Sequence, residues 1–211
     1  MEKPYIIGIT GGSGSGKTSF IKALKQSFSK EEICFLSQDD YYLTKDHQKK
    51  DDEGIENFDR PNSIDKKSFV RDVKKLMAGE TVTIEEYMFN NIEVEPKMLT
   101  FEPAPIIIVE GIFVFHYKKM RKQMDMKIFI EAKENLKVIR RITRDQVERN
   151  YPLDDVLYRY RKHILPAFEK YILPYRDSAD MVINNNTNFN NGLEMVRGFL
   201  KNKIVELKEG K

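Results

Sequence analysis

The octapeptide Gly11-Gly12-Ser13-Gly14-Ser15-Gly16-Lys17-Thr18 constrains this chain more than any other stretch. It completes the pattern G-x-x-x-x-G-K-[ST] and stands between an apolar run, 5–9, and a helical periodicity that begins at Lys17. Glycines let the backbone curl until its N–H groups face phosphate oxygens, and the start of a helix adds a favourable dipole. Lys17 is then expected to neutralise the terminal phosphates of ATP, and Thr18 to offer an oxygen to Mg²⁺. An ordinary Gly/Ser turn would require neither the lysine nor the flanking strand and helix.

The rest of the chain repeats that strand-and-helix unit. Continuous apolar runs at 33–36, 106–109, 128–130 and 181–183 read as parallel strands buried on both faces. Between most of them, 17–29, 66–77, 135–147 and 192–207 repeat apolar residues at helical spacing. The alternation predicts an α/β fold, a parallel sheet flanked by helices, as one domain over 1–211. Two stretches break it: polar 40–62, and 81–101, whose Thr81-Val82-Thr83-Ile84 predicts a small β insertion. The charge cluster 45–53 and Asn184-Asn185-Asn186 read as solvated loops.

Composition excludes several classes. Thirty-six Lys+Arg against 33 Asp+Glu leave a net charge of only +3, with the cations mostly interspersed, so neither nucleic acid nor a membrane is expected as a partner. The apolar runs are far too short to span a bilayer, and the strand pattern starting at Tyr5 leaves no room for a signal peptide; a cytoplasmic location is expected. The single cysteine, Cys34, lies in an apolar run and reads as an inert buried thiol. His47, His116 and His163 are scattered without metal-ligand spacing. No Asn-Lys-x-Asp guanine-reading segment is present, which disfavours a GTPase.

Asp39 follows the second predicted strand and Glu110 the third, so a parallel sheet would place both at its carboxyl edge beside the phosphate loop. Mg²⁺ needs few protein carboxylates, and a hydroxyl nucleophile needs a base, so two carboxylates with distinct tasks suit phosphoryl transfer. Asp40 is expected to be a solvated turn carboxylate. Arg140, Arg141, Arg144 and Arg149 crowd one helix and could close over phosphate as a lid. Arg141 with Asp145, Arg144 with Glu148 and Asp145 with Arg149 would equally serve as ion pairs on an exposed helix.

In this order the motifs resemble the uridine/cytidine kinase family, of the phosphoribulokinase/uridine kinase superfamily, from Ile6 to about Asn186. The resemblance rests on the octapeptide, Ser37-Gln38-Asp39 with Tyr41-Tyr42, Asn57-Phe58-Asp59 with Pro61, Glu110-Gly111-Ile112, and Arg140 to Asp145 with Glu148-Arg149; Pro166-Ala167-Phe168 and Ala179-Asp180 continue it. It implies ATP-dependent phosphorylation of a nucleoside 5′-hydroxyl, uridine or cytidine, with ATP or GTP as donor. Asp39 is implied as general base, Thr18, Glu110 and Asp39 near Mg²⁺, Asp59 and Arg141 on the ribose diol, and Arg144 and Arg149 on phosphates. Tyr42, Phe58 and Tyr87 are implied as walls of a nucleoside pocket. The resemblance also implies a five-stranded parallel sheet, a β-hairpin over the nucleoside, a lid around 140–165 and often a homotetramer.

The chain departs from that pattern where the base is read. Ile92 stands where a histidine is usual, Tyr151 and Arg159 where arginine and glutamine are usual, and Arg60 replaces another histidine. Two other readings remain: a kinase of this architecture acting on a different small alcohol, and a nucleotide-binding regulatory protein without turnover. Asp39 counts against the second, because binding alone needs no base.

Overall fold

The computed structural model describes residues 3–88, 95–147 and 151–209. Five parallel strands form the sheet: β1 (Tyr5–Thr10), β2 (Ile33–Ser37), β5 (Ile106–Glu110), β6 (Met126–Glu131) and β7 (Met181–Asn184), in the order β2-β5-β1-β6-β7. A separate antiparallel pair, β3 (Val82–Glu85) with β4 (Met98–Phe101), makes the expected β insertion. Its segment 89–94, with Ile92, lies outside the described residues.

The apolar runs are continuous because each strand feeds two cores. Side chains alternate along a strand. Ile6, Ile107, Val109 and Phe129 therefore enter one core, while Ile7, Ile9, Ile106, Ile108, Ile128 and Ile130 enter the other. Helix α2 (Lys66–Met77) covers the first face through Phe69, Val73 and Leu76. Helices α1 (Lys17–Lys25) and α7 (Asn190–Glu209) cover the second, through Phe20 and Leu24 and through Val196, Leu200 and Ile204. Cys34 is buried in the first core, and burial pushes its thiol up to about 12, as expected of an inert group.

Three differences from the sequence reading have local causes. Helix α1 stops at Lys25 rather than Ser29, because Ser27 Oγ donates to the Ala23 carbonyl and its N–H to Leu24. After α3 (Lys118–Arg121) and α4 (Glu134–Val147), a helical stretch that periodicity did not reveal runs through α5 (Leu153–Arg159), a π turn (Tyr160–Ile164) and α6 (Leu165–Tyr171). Pro166 lacks the N–H that a helix interior needs, and the wider π turn before it disturbs the 3.6-residue repeat. Finally, 45–53 is not wholly the solvated loop expected, because Gln48 is buried with its Nε2 donating to the Leu43 and Ser63 carbonyls, and 40–62 is further tied by short 3₁₀ turns and isolated bridges, Tyr42 to Ile64 and Lys50 to Glu56.

Candidate active site

The phosphate loop joins β1 to α1 at the carboxyl edge of the sheet. Gly14 and Gly16 hold φ of 79° and 93°, a left-handed backbone that a side chain would strain, and Ser15 N–H closes the turn on the Gly12 carbonyl at 3.0 Å. Gly12, Ser13, Gly14, Gly16, Lys17 and Thr18 line a cavity of about 580 Å³; Gly11 and Ser15 sit behind it. Thr18 is exposed to the cavity, whereas Lys17 is buried.

Lys17 forms a buried ion pair with Glu110, and Ser37 Oγ donates to the other Glu110 oxygen at 2.7 Å. Burial opposes the charge on Lys17, yet Glu110 and Asp39 hold its ammonium above the usual lysine range. Burial likewise pushes Glu110 up, and Lys17 more than reverses it, so the carboxyl lies below the usual range. Glu110 itself does not line the cavity.

Asp39 does, in a 3₁₀ turn whose N–H donates to Ser37 Oγ at 3.1 Å. Its neighbour Asp40 is not the solvated carboxylate expected: burial, then the charges of Asp39 and Glu110, push it up to about 6. Tyr42, Phe58 and Asp59 form the facing wall. The Tyr42 ring packs 6.1 Å from Phe58 and 5.6 Å from Tyr87, which backs it from outside the cavity. Burial, then the charges of Asp39 and Asp59, hold the Tyr42 hydroxyl well above its usual range.

Helix α4 closes the third side. Arg140, Arg141 and Arg144 all line the cavity. Arg141 Nη1 donates to Ser13 Oγ of the phosphate loop at 2.7 Å and its Nε lies 2.8 Å from Asp145. The predicted Arg141–Asp145 pair therefore forms, but on a buried carboxylate of 2% exposure rather than on an exposed helix. Arg144 also bonds Asp145, at 3.0 Å. Glu148 and Arg149 lie outside the described residues.

Two residues have supporting roles that the sequence reading did not assign. Asn185, read as solvated, is buried: its Nδ2 donates to the Ser15 carbonyl at 2.8 Å, and its own carbonyl accepts from Arg140 at 2.9 Å. Gln38, fully buried, accepts from Phe113 N–H at 2.9 Å and fixes the turn that carries Asp39. Arg159 donates to the Glu56 carbonyl at 2.9 Å and stands 5.6 Å from the Tyr151 ring centre. Two positions at which the chain departs from the family pattern thus touch each other.

Among the described residues no cluster of three His, Cys, Asp or Glu could hold a metal, and no helix is long and apolar enough to cross a membrane. The exposed Thr18 hydroxyl and the Asp39 carboxylate suit a Mg²⁺ ion that keeps most of its shell as water and phosphate oxygen.

The Phosphoribulokinase / Uridine kinase family matches residues 6–190. A uridine kinase of Streptococcus equi subsp. zooepidemicus is 36% identical over 183 residues, covering 87% of this chain and 88% of that protein. A uridine kinase of Macrococcus caseolyticus is also 36% identical, covering 87% and 89%. Among solved structures, phosphoribulokinase from Rhodobacter spheroides aligns with TM-score 0.60 at 16% identity, covering 87% of this chain and 71% of that one. D-glycerate 3-kinase from Cryptococcus neoformans aligns with TM-score 0.61 at 13% identity and 87% of each chain, so these two share the fold.

Proposed function

Because the chain belongs to the phosphoribulokinase/uridine kinase family, we propose that it is a kinase that transfers the γ-phosphoryl group of ATP to the 5′-hydroxyl of a nucleoside, uridine or cytidine, in pyrimidine salvage. The observation that supports this most is one shared cavity, lined at once by the phosphate loop, by Asp39, and by Tyr42, Phe58 and Asp59. A donor and an acceptor placed there meet at a carboxylate.

In this reading the loop N–H groups and Lys17 bind the β- and γ-phosphates, and Arg144 and Arg141 offset charge on the transferring group. Tyr42 and Phe58 sandwich the acceptor, and Asp59 accepts hydrogen bonds from its ribose hydroxyls. Asp39 takes the 5′-hydroxyl proton as that oxygen bonds to phosphorus and the bond to the ADP leaving oxygen breaks. Bound through Thr18 and Asp39, Mg²⁺ would supply charge neutralisation at the phosphates. Glu110 holds Lys17 charged and in place from beneath.

The test is ADP release across a panel of nucleosides and other small alcohols, with the unaltered chain, Lys17→Ala and Asp39→Asn. Lys17→Ala should raise the KM for ATP, and Asp39→Asn should keep ATP binding while lowering kcat by about a hundredfold or more. Turnover with a non-nucleoside alcohol alone would move the acceptor class, and near-normal turnover by Asp39→Asn would remove the base.

A further inference from the structure

Asn185 follows β7 at the carboxyl edge of the sheet, and both of its main-chain polar groups are tied. Its N–H donates to the Glu131 carbonyl at the end of β6 at 2.7 Å, and its main-chain carbonyl accepts from Arg140 Nη2 at 2.9 Å. The neighbours brace the same turn: Asn184 Oδ1 accepts from Asn186 N–H at 2.9 Å, and Asn186 Oδ1 from Lys133 N–H at 2.8 Å. A residue held in this way offers its side chain in one direction, and that direction is the phosphate loop.

Asn185 Nδ2 donates to the Ser15 carbonyl at 2.8 Å in a buried contact. The approach is close: a Cβ on Gly16 would lie 2.1 Å from Nδ2, so this neighbour demands glycine at 16 as much as the φ of 93° does. The Ser15 carbonyl and the Gly16 N–H belong to one planar peptide, and no peptide among the described residues is cis, so the two point in opposite directions. Anchoring that carbonyl on Asn185 therefore turns the Gly16 N–H away from Asn185. Gly16 lines the first cavity, and so does Arg140, the other group that Asn185 holds. A buried asparagine is commonly only a satisfied amide; this one has both of these bonds on groups that belong to the candidate active site.

We propose that Asn185 is a positioning residue for the phosphoryl donor: it aims the Gly16 N–H at a phosphate oxygen of the bound nucleotide and steadies Arg140 at the same cavity. The proposal rests on the kinase reading above and deepens it, naming a residue that touches neither substrate and yet sets donor affinity. Without the side-chain amide the Ser15 carbonyl is a buried acceptor lacking its partner, and a peptide that rotates to find another takes the N–H away from the phosphate. Arg140 bonds the main chain of Asn185, so a substitution at 185 removes the loop contact and leaves that bond its partner.

The experiment titrates ADP into the full chain by calorimetry and measures the KM of ATP and of the acceptor, for the unaltered protein, Asn185→Ala and Asn185→Asp. Val196→Ala, in the core beneath α7, serves as a control for simple loss of stability. Both variants at 185 should weaken ADP binding and raise the ATP KM by about tenfold or more, with the acceptor KM changed less than about twofold. Asn185→Asp keeps the shape of the side chain but turns an oxygen toward the Ser15 carbonyl, so it carries the test if the alanine variant does not fold. Val196→Ala should lower Tm with ADP binding unmoved. If it weakens ADP binding as much as the variants at 185 do, the effect belongs to stability and the proposal is overturned. An acceptor KM that rises in step with the ATP KM overturns the assignment to the donor. Undiminished ADP binding by both variants overturns the proposal alone, whereas failure of the unaltered chain to bind ADP overturns the kinase reading on which it rests.

Discussion

At the scale of single residues, the site is organised by charges that the fold buries together. Lys17 and Glu110 are both nearly inaccessible, and each favours the charged form of the other. Removing one member of a buried pair leaves the other uncompensated, at a typical cost of about 3–5 kcal/mol. Glu110→Gln is therefore expected to lower the unfolding free energy by about 3 kcal/mol in urea titrations at neutral pH, and to raise the KM for ATP. A loss below about 1 kcal/mol would mean that Lys17 finds compensation elsewhere. The pairing was not legible beforehand, because 93 positions separate the two residues. Sequence position placed Glu110 at the right edge of the sheet, but not underneath the lysine.

At the scale of elements, helix starts and the arginine helix carry the consequences. Helix α2 is capped by Asp65, whose Oδ1 accepts from the N–H groups of Lys67 and Ser68, both at 3.1 Å. Burial raises the Asp65 pKa, but the Ser68 and Lys67 N–H bonds outweigh it and hold the carboxyl below its ordinary value of 3.8. A depressed folded pKa adds stability that is present above the unfolded value and lost as the pH falls through the folded one. Asp65→Ala should cost about 1 kcal/mol at pH 7 and progressively less below pH 3.8, measured by urea unfolding at a series of pH values. A cost that does not vary with pH would assign it to packing instead. On α4, Arg144 lines the first cavity while pairing with Asp145, which sets a proposed role at the phosphates beside a role in the helix. Arg144→Ala should lower kcat by at least tenfold with little change in acceptor KM. Unchanged kinetics with a loss of only about 0.5 kcal/mol in stability would reduce it to a helix ion pair.

At the scale of the whole molecule, Tyr151 and Arg159, where the chain departs from the family pattern, lie outside the strands of the sheet. Arg159 donates from Nη1 to the Glu56 carbonyl and stands over Tyr151, so its guanidinium is held against the 40–62 segment and the Tyr151 ring. A site rejects an analogue strongly only where its own buried polar groups would go unpaired. Uridine and cytidine are accordingly expected to differ by less than about tenfold in kcat/KM. Discrimination above about a hundredfold would show that other groups read the base. The sequence by itself determined the phosphate loop, the five strands and the helices that cover them, because turn geometry, strand burial and helical spacing are written within a few neighbouring residues. It also placed Asp39, Tyr42, Phe58 and Asp59 in motifs that the fold brings to one cavity. Only the tertiary structure decided that Asn185 is buried against Ser15, 170 positions away, and that His163 meets Asp51 across 112. Periodicity reports whether a residue faces a core, but a polar side chain reaches its partner through loops whose paths are set by the packing of the whole sheet.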